Sequence, residues 1–178
     1  EILDELDSAL QADLIGDLDQ EDADAILAEL DEEDAADVRR LVKYEDETAG
    51  GLMVAEAFSF PDTATVGHVL RLIAKDDDDF DRYRGQHPYV IDEAGRPVGV
   101  VSLRGLISAT RSTKLTAIMV EPMTVSVTTP LEELEDLFDE NNFLGLPVVE
   151  ADGSLVGVVS RSAVDDASFE KLESDALK

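Results

Sequence analysis

The 178-residue chain contains no cysteine and no tryptophan, and only two histidines. Without cysteine it can form no disulfide, no thiolate nucleophile and no zinc–thiolate site. The histidines, His68 and His87, are too few and too far apart in sequence for a transition-metal site or a catalytic relay. Six Phe and three Tyr are the only aromatic residues, so the core must be aliphatic. No apolar run reaches the roughly 18 residues that would predict a membrane-spanning helix.

Basic residues are also scarce. The chain has 14 Lys and Arg against 42 Asp and Glu, which gives a formal net charge of -28 and a pI near 4.1. Such a surface repels nucleic acids and anionic lipids and concentrates cations, so we expect no nucleic-acid partner. Its self-repulsion lowers stability at low ionic strength, which predicts a need for neutralising ions. Adaptation to high salt, or to solubility alone, is the alternative explanation.

The first 45 residues follow a helical pattern with an internal repeat. Leu-Asp pairs recur with a spacing of twelve, at Leu6-Asp7, Leu18-Asp19 and Leu30-Asp31. An Asp at this position is typical of a helix N-cap, and acids in the next turn suit the helix dipole. Short helices of this kind bury their apolar faces against one another. The pattern predicts a helical array, which we expect to be the truncated end of a longer one.

A longer repeat fills the rest of the chain. YVIDEAGRPVGVVS (residues 89–102) aligns without gaps with PVVEADGSLVGVVS (residues 147–160). Each copy predicts a strand, an acidic turn with Gly, a buried strand and a helix, and a further helix precedes each copy, beginning after Thr65 and at Pro130. Two β-α-β-β-α units are therefore expected. Their buried strands should contain six valines, Val98, Val100, Val101, Val156, Val158 and Val159.

The segment YEDETAGGLM (residues 44–53) lies between the helical array and the first unit. Each glycine costs roughly 1 kcal/mol relative to Ala inside a helix, so Gly50-Gly51 argues against a helix interior. We interpret the pair as a domain boundary.

Together these motifs resemble a known family. The paired VGVVS halves look like a tandem of cystathionine-β-synthase (CBS) domains, and TAGGLM after an acidic helical array resembles the cytosolic part of MgtE-family magnesium channels. The resemblance implies an α+β fold with the end of a helical N domain (1–45), a first CBS domain (46–111), a second (112–167) and the start of a connecting helix (168–178). It also implies a homodimer formed through the CBS domains, at the cytoplasmic face of the cell membrane, attached to a pore domain that this sequence lacks.

The resemblance implies Mg²⁺ as the ligand, held between the helical domain, the second CBS domain and the connecting helix. Mg²⁺ takes hard oxygen ligands and keeps several waters, so one or two carboxylates per ion suffice. Acids of the family pattern are lost at several positions, including Ala9, Ala163 and Lys171. Two interpretations stay open: a chain that dimerises and regulates without these sites, or magnesium sensing through five remaining acids, Asp13, Glu132, Asp165, Asp166 and Asp175. The acidic run at Asp76–Asp79 and Asp81 is predicted to be a solvated loop.

CBS pairs that bind adenine nucleotides carry an Asp three residues after the Ser or Thr that ends the GVVS strand. Gly105 and Ala163 occupy both Asp positions here, and His87 stands where such relatives have an aromatic residue. Arg104 remains as a weak candidate for a phosphate contact, and we expect ATP not to bind. A nucleotide-binding module and a dimerisation scaffold without ligand are the alternative functions. The sequence shows no nucleophile with a neighbouring base and no Gly-rich phosphate loop, so it does not predict an enzyme.

Overall fold

The computed structural model describes residues 6–75, 83 and 86–178. Its first part consists of three short helices, α1 (Ser8–Gly16), α2 (Gln20–Leu27) and α3 (Glu32–Val42). The predicted caps are confirmed for α1, where Asp7 Oδ1 accepts from the Leu10 amide at 2.9 Å, and for α2, where Asp19 Oδ1 accepts from the Asp22 amide at 3.0 Å. Asp31 precedes α3 at the same position, but its side chain caps none of the described amides.

Two units of the predicted β-α-β-β-α order follow. The first unit runs from β1 (Ser59–Pro61) through α5 (Val66–Ala74), β2 (Tyr89–Ile91) and β3 (Pro97–Val100) to α6 (Leu103–Ser108). After a short 3-10 turn at Leu115–Ala117, the second unit comprises β4 (Val125–Ser126), α7 (Leu131–Glu140), β5 (Gly145–Val149), β6 (Leu155–Ser160) and α8 (Arg161–Ala176). In both sheets the first strand is parallel to the second and the second antiparallel to the third, so the repeat is structural as well as sequential.

The expectation that all six repeat valines are buried is wrong in part. Val101, Val158 and Val159 are at most 3% exposed, but Val98 is 36% exposed. Val100 and Val156 are half-buried, and Val101 lies just beyond the end of β3. Since side chains alternate between the two faces of a strand, β3 buries only the face that carries Gly99 and Val101. Its VGVV run therefore belongs to a half-exposed strand.

The expectation that Gly50-Gly51 lies outside a helix interior is wrong, because both glycines lie inside a one-turn helix, α4 (Ala49–Leu52), which Thr48 caps. Their role is close approach rather than helix termination. A Cβ on Gly51 would lie 2.1 Å from the carbonyl oxygen of Glu45, and one on Gly50 would lie 2.6 Å from Cγ of Tyr44. Only glycine lets α4 pack this tightly against the chain that leads into it.

The segment from Tyr44 to Met53, here called the linker, is attached to the second unit rather than to the first. The amides of Ala49 and Gly50 donate to the carbonyls of Thr129 (2.8 Å) and Val127 (2.9 Å) in the loop before α7. Just beyond the linker, Val54 exchanges two backbone hydrogen bonds of 2.9 Å with Val158 of β6. The chain is thus fixed to the second unit before it enters the first.

The apolar core follows the same connectivity. One continuous cluster joins the three N-terminal helices, α4 and the second unit, and includes Ile15, Val38, Met53, Leu134 and Leu146. The first unit has a separate cluster around Phe58, Phe60 and Leu106. The helical part and the second unit therefore pack as neighbours, and the space between them and α8 is where charged groups from different elements meet.

Candidate functional site

A cleft of about 620 Å³ lies between α1, the linker, the two units and α8. Acidic residues line it from both sides. Asp7 and Asp13 project from the N-terminal helices, and Asp165, Asp166 and Glu170 project from α8. Arg161, at the first position of α8, is the one basic residue among the described residues that line the cleft. The cleft therefore has a strongly negative lining.

A buried serine fixes the position of α1 at this cleft. Ser8, which is 3% exposed, donates from Oγ to Glu56 Oε2 at 2.7 Å and accepts from the Ala55 amide at 2.9 Å. These two bonds dock the first turn of α1 on the chain that leads to β1. Asp13, in the second turn of α1, is thereby held facing α8 across the cleft.

The pKa of Asp13 is raised by partial burial and by the negative charges around it. Its side chain reaches solvent, yet the surrounding protein desolvates the carboxyl group and raises its pKa from 3.8 to about 6. The carboxylates of Asp46, Asp17, Asp7 and Glu170 contribute further, in that order. Asp17 and Asp7 flank the same helix as Asp13, but Asp46 belongs to the linker and Glu170 to α8, so part of the repulsion acts between separate elements. Moving α1, the linker and α8 apart would relieve that part.

The structure brings three of the five predicted metal ligands to one place. Asp13, Asp165 and Asp166 all line the cleft. Glu132 and Asp175 lie elsewhere and each has a lysine partner. Lys171 Nζ donates to Glu132 Oε1, which lowers the pKa of Glu132, and Lys178 Nζ lies 3.2 Å from Asp175 Oδ1.

Sequence reasoning missed the other acids whose charges act on Asp13. Glu170 follows Asp166 by four residues and Asp17 follows Asp13 by four, so helical spacing could have indicated both. Asp7 was interpreted only as a helix cap. No sequence pattern relates Asp46 to Asp13. The two are brought together only by the path of the linker in the folded chain.

These carboxylates form no ready-made chelating cage. Within residues 6–75, 83 and 86–178, no three His, Cys, Asp or Glu side chains are arranged so that they could hold a metal ion. The donors are nevertheless the carboxylate oxygens that Mg²⁺ prefers, and Mg²⁺ commonly keeps several waters and uses only one or two carboxylates. The donor set fits a hydrated divalent cation shared across the cleft. The predicted solvated loop at Asp76–Asp79 and Asp81 lies outside the described residues.

The residues considered for nucleotide binding have local structural roles. Ser102 Oγ accepts from the Gly105 amide at 3.0 Å, and Ser160 Oγ accepts from the Ala163 amide at 3.1 Å, so each serine caps the helix that follows it. Arg104 is exposed on the first turn of α6. His87 lies in the acidic cleft.

In the part of the chain that the structure describes, no helix combines the length and the apolar character needed to cross a bilayer.

Comparison with known proteins was made on sequence and on structure. The profile described as "CBS domain" matches residues 49–112 and 115–170, and that described as "MgtE intracellular N domain" matches residues 1–47. The magnesium transporter MgtE of Thermus thermophilus is 39% identical over 145 residues, which cover 80% of this chain and 31% of that protein. The chain thus spans about a third of the length of the curated relatives it matches.

Two solved structures resemble the whole arrangement. The cytosolic domain of the Mg²⁺ channel MgtE in complex with ATP superposes with a TM-score of 0.84 at 35% identity, covering 93% of this chain and 68% of that one. The soluble part of a magnesium transporter gives a TM-score of 0.82 at 28% identity, covering 96% of this chain and 66% of the other. The match extends over the helices and both units together.

Proposed function

Because the chain belongs to the MgtE family, with matches to its intracellular N domain and to a CBS pair, we propose that it senses magnesium at the cytoplasmic face of the membrane for a magnesium transporter. The proposed divisions are the N domain (1–45), the two CBS domains (46–111 and 112–167) and the start of a connecting helix (168–178). The observation that carries the proposal is the repulsion around Asp13, to which acids of the linker and of α8 contribute.

The response follows from what these carboxylates do at neutral pH. Above its pKa of about 6 Asp13 becomes charged, and the nearby carboxylates of Asp46 and Glu170 then oppose the closed arrangement of α1, the linker and α8. A bound magnesium ion supplies the positive charge that removes this opposition. Asp13, Asp165 and Asp166 would hold it, with Glu170 and Asp46 adding to the attraction. Since α8 carries three of these acids, closure fixes the position of the helix that, in the whole transporter, would lead to the pore.

The energy required is within reach of weak sites. A site with a dissociation constant of about 1 mM, present at about tenfold excess of ligand, stabilises the bound arrangement by about 1.4 kcal/mol. That is roughly a tenfold change in the ratio of closed to open molecules. The range suits a sensor of cellular magnesium better than a permanent structural metal.

The test compares protease cleavage after Glu45 and Glu47 of the linker in about 10 mM MgCl₂ and in NaCl of the same ionic strength, about 30 mM. We expect MgCl₂ to slow cleavage several-fold more than NaCl does. Asp13→Asn should remove this magnesium-specific difference. Asp139→Asn, which removes the same charge from an exposed position on α7, should retain it.

Equal protection by the two salts would mean that ions only screen the acidic surface, and the sensing proposal would fail. Retention of the full magnesium effect in Asp13→Asn would leave sensing intact but move it away from this cleft.

We also propose that two copies associate through their CBS pairs. The exposed face of α6 carries Leu103 (54% exposed) and Ile107 (81% exposed), one helical turn apart. Two adjacent exposed apolar side chains on one helix face can form a contact between two copies of the chain. Sedimentation velocity should show a dimer whose fraction rises with divalent cations, because these reduce repulsion between the acidic subunits. Ile107→Ser should shift the equilibrium to monomer, and an unchanged dimer in that variant would place the contact elsewhere.

The related cytosolic domain solved with ATP raises nucleotide binding as a second function. In this chain Gly105 and Ala163 leave both helix starts without the carboxylate that would hold a ribose, so we propose that ATP is not its regulator.

A further inference from the structure

Lys171 lies at a junction of three elements. From α8 its ammonium group reaches Glu132 Oε1, on the first turn of α7, and lies 3.4 Å from Glu47 Oε2 in the linker. Both ion pairs raise the pKa of Lys171. One lysine thus joins α7, α8 and the linker.

Backbone hydrogen bonds also join the linker to the start of α7 at this junction. The Leu131 amide, at the first position of α7, donates to the Glu47 carbonyl at 2.9 Å. Two residues on, the Ala49 amide donates to Thr129 at 2.8 Å. The linker and the start of α7 are therefore hydrogen-bonded side by side, and Lys171 bridges the two acidic side chains that this pairing brings together. Without a cation there, Glu47 and Glu132 would face each other as like charges.

We propose that Lys171 is a built-in cation that holds the linker to α7 and α8 in the absence of any metal ion. The junction needs one positive charge between carboxylates of different elements, and a lysine supplies it covalently, at all magnesium concentrations. Lys178, the other lysine of the C-terminal segment, lies just beyond the end of α8. It joins no separate elements, because among the described residues it pairs only with Asp175, three residues before it. This inference goes beyond the magnesium proposal and does not depend on it.

The experiment measures hydrogen exchange by mass spectrometry on the full chain, in NaCl with EDTA. The readout is protection of peptides that contain the Ala49, Gly50 and Leu131 amides. An exposed ion pair is a weak contact, so Lys171→Met should speed exchange of these amides by only about threefold to tenfold. Lys178→Met is the matched control, since it removes the same charge two residues beyond the end of α8 and should leave these amides unchanged. Lys171→Arg should retain most of the protection.

A second variant tests whether a magnesium ion can replace the positive charge of Lys171. Lys171→Glu places a third carboxylate beside Glu47 and Glu132, so protection of the junction should become dependent on magnesium, more than on NaCl of equal ionic strength. Wild-type protection at this junction should depend on magnesium less than that of Lys171→Glu, because Lys171 already supplies a positive charge there.

The proposal is overturned if Lys171→Met and Lys178→Met exchange alike at these amides, or if Lys171→Glu shows no magnesium-specific recovery. Global exchange in the first unit, for example across β2 and β3, reports whether any variant has unfolded. If Lys171→Met loses protection because it unfolds, the Lys171→Arg variant decides. The proposal is then overturned if arginine does not protect the junction amides. Since the Lys171→Met comparison uses no magnesium, it succeeds or fails separately from the Asp13 test.

Discussion

Replacing Gly51 with alanine should detach the linker from its closed position. The added Cβ would lie 2.1 Å from the Glu45 carbonyl oxygen and 2.8 Å from that of Asp46. Ordinary contacts begin near 3.4 Å, so the backbone of residues 45 and 46 must retreat by about 1.3 Å. Both partners are main-chain atoms, and no side-chain rotation can relieve the clash. The pairing of Glu47 with Leu131 and of Thr48 with Glu45 would be strained or broken.

The magnitude follows from three contributions. Forcing an extra carbon into a tight contact costs about 1–3 kcal/mol, and each lost hydrogen bond adds about 1 kcal/mol. Alanine returns about 1 kcal/mol through its better helix propensity. The net loss is about 2–4 kcal/mol, which for a chain of this size lowers the melting temperature by about 4–16 °C.

Scanning calorimetry on three alanine variants tests the order of effects. Gly50→Ala should be milder, at about 1–2 kcal/mol, because its Cβ meets the Tyr44 ring, which can move if it gives up its hydrogen bond to Glu150. Gly16→Ala is the control: it is also helical, and its Cβ would meet only Val42 Cγ1 at 4.0 Å. A Gly51→Ala variant as stable as wild type, or a Gly16→Ala variant equally destabilised, would refute the close-approach explanation.

Two further predictions concern the ionisable and nucleotide positions. Since the pKa of Asp13 is about 6 in the folded chain against 3.8 ordinarily, its contribution to stability is lost as pH rises from about 4 to about 6. Without magnesium, Asp13→Asn should therefore unfold at higher urea than wild type at pH 7, with the difference narrowing toward pH 4, and a difference that does not change with pH would contradict the assignment. Gly105→Asp places a carboxylate three residues after Ser102, where a Cβ would meet Ser102 Oγ at 3.2 Å, and calorimetry should then detect ATP binding that wild type lacks. If both proteins give the same heats, the missing carboxylate is not what excludes the nucleotide.

The sequence was sufficient for the features that repeat locally. Asp7 and Asp19 cap helices because their carboxylates lie within reach of amides three residues on, and a spacing of twelve makes that visible. The second repeat predicted both β-α-β-β-α units for a similar reason, since strand alternation and turn residues are read from neighbours in the chain.

What the sequence could not predict depends on distant partners. The linker hydrogen-bonds to residues 127 and 129, more than 70 positions away, and nothing in TAGGLM indicates that it docks on the second unit. The helix at Ala49–Leu52 overrides the low propensity of two glycines because the close contacts with Tyr44 and Glu45 require them. Likewise, the position of Lys171 within the acidic family pattern indicated only a lost ligand. Its ion pairs with Glu47 and Glu132 became visible once α7, α8 and the linker were placed together.

The two proposals assign opposite electrostatic roles to adjacent residues of the linker. Asp46 adds to the repulsion around Asp13, whereas Glu47 is attracted to Lys171. Hydrogen bonds from Ala49 and Gly50 to the second unit fix the backbone just after these two residues, so both side chains act on the same short segment. A divalent cation would change the Asp46 side alone, because the Glu47 side already has its positive charge. The linker should therefore stay partly closed at low magnesium and close further as magnesium rises, which makes the response graded in concentration rather than all-or-none.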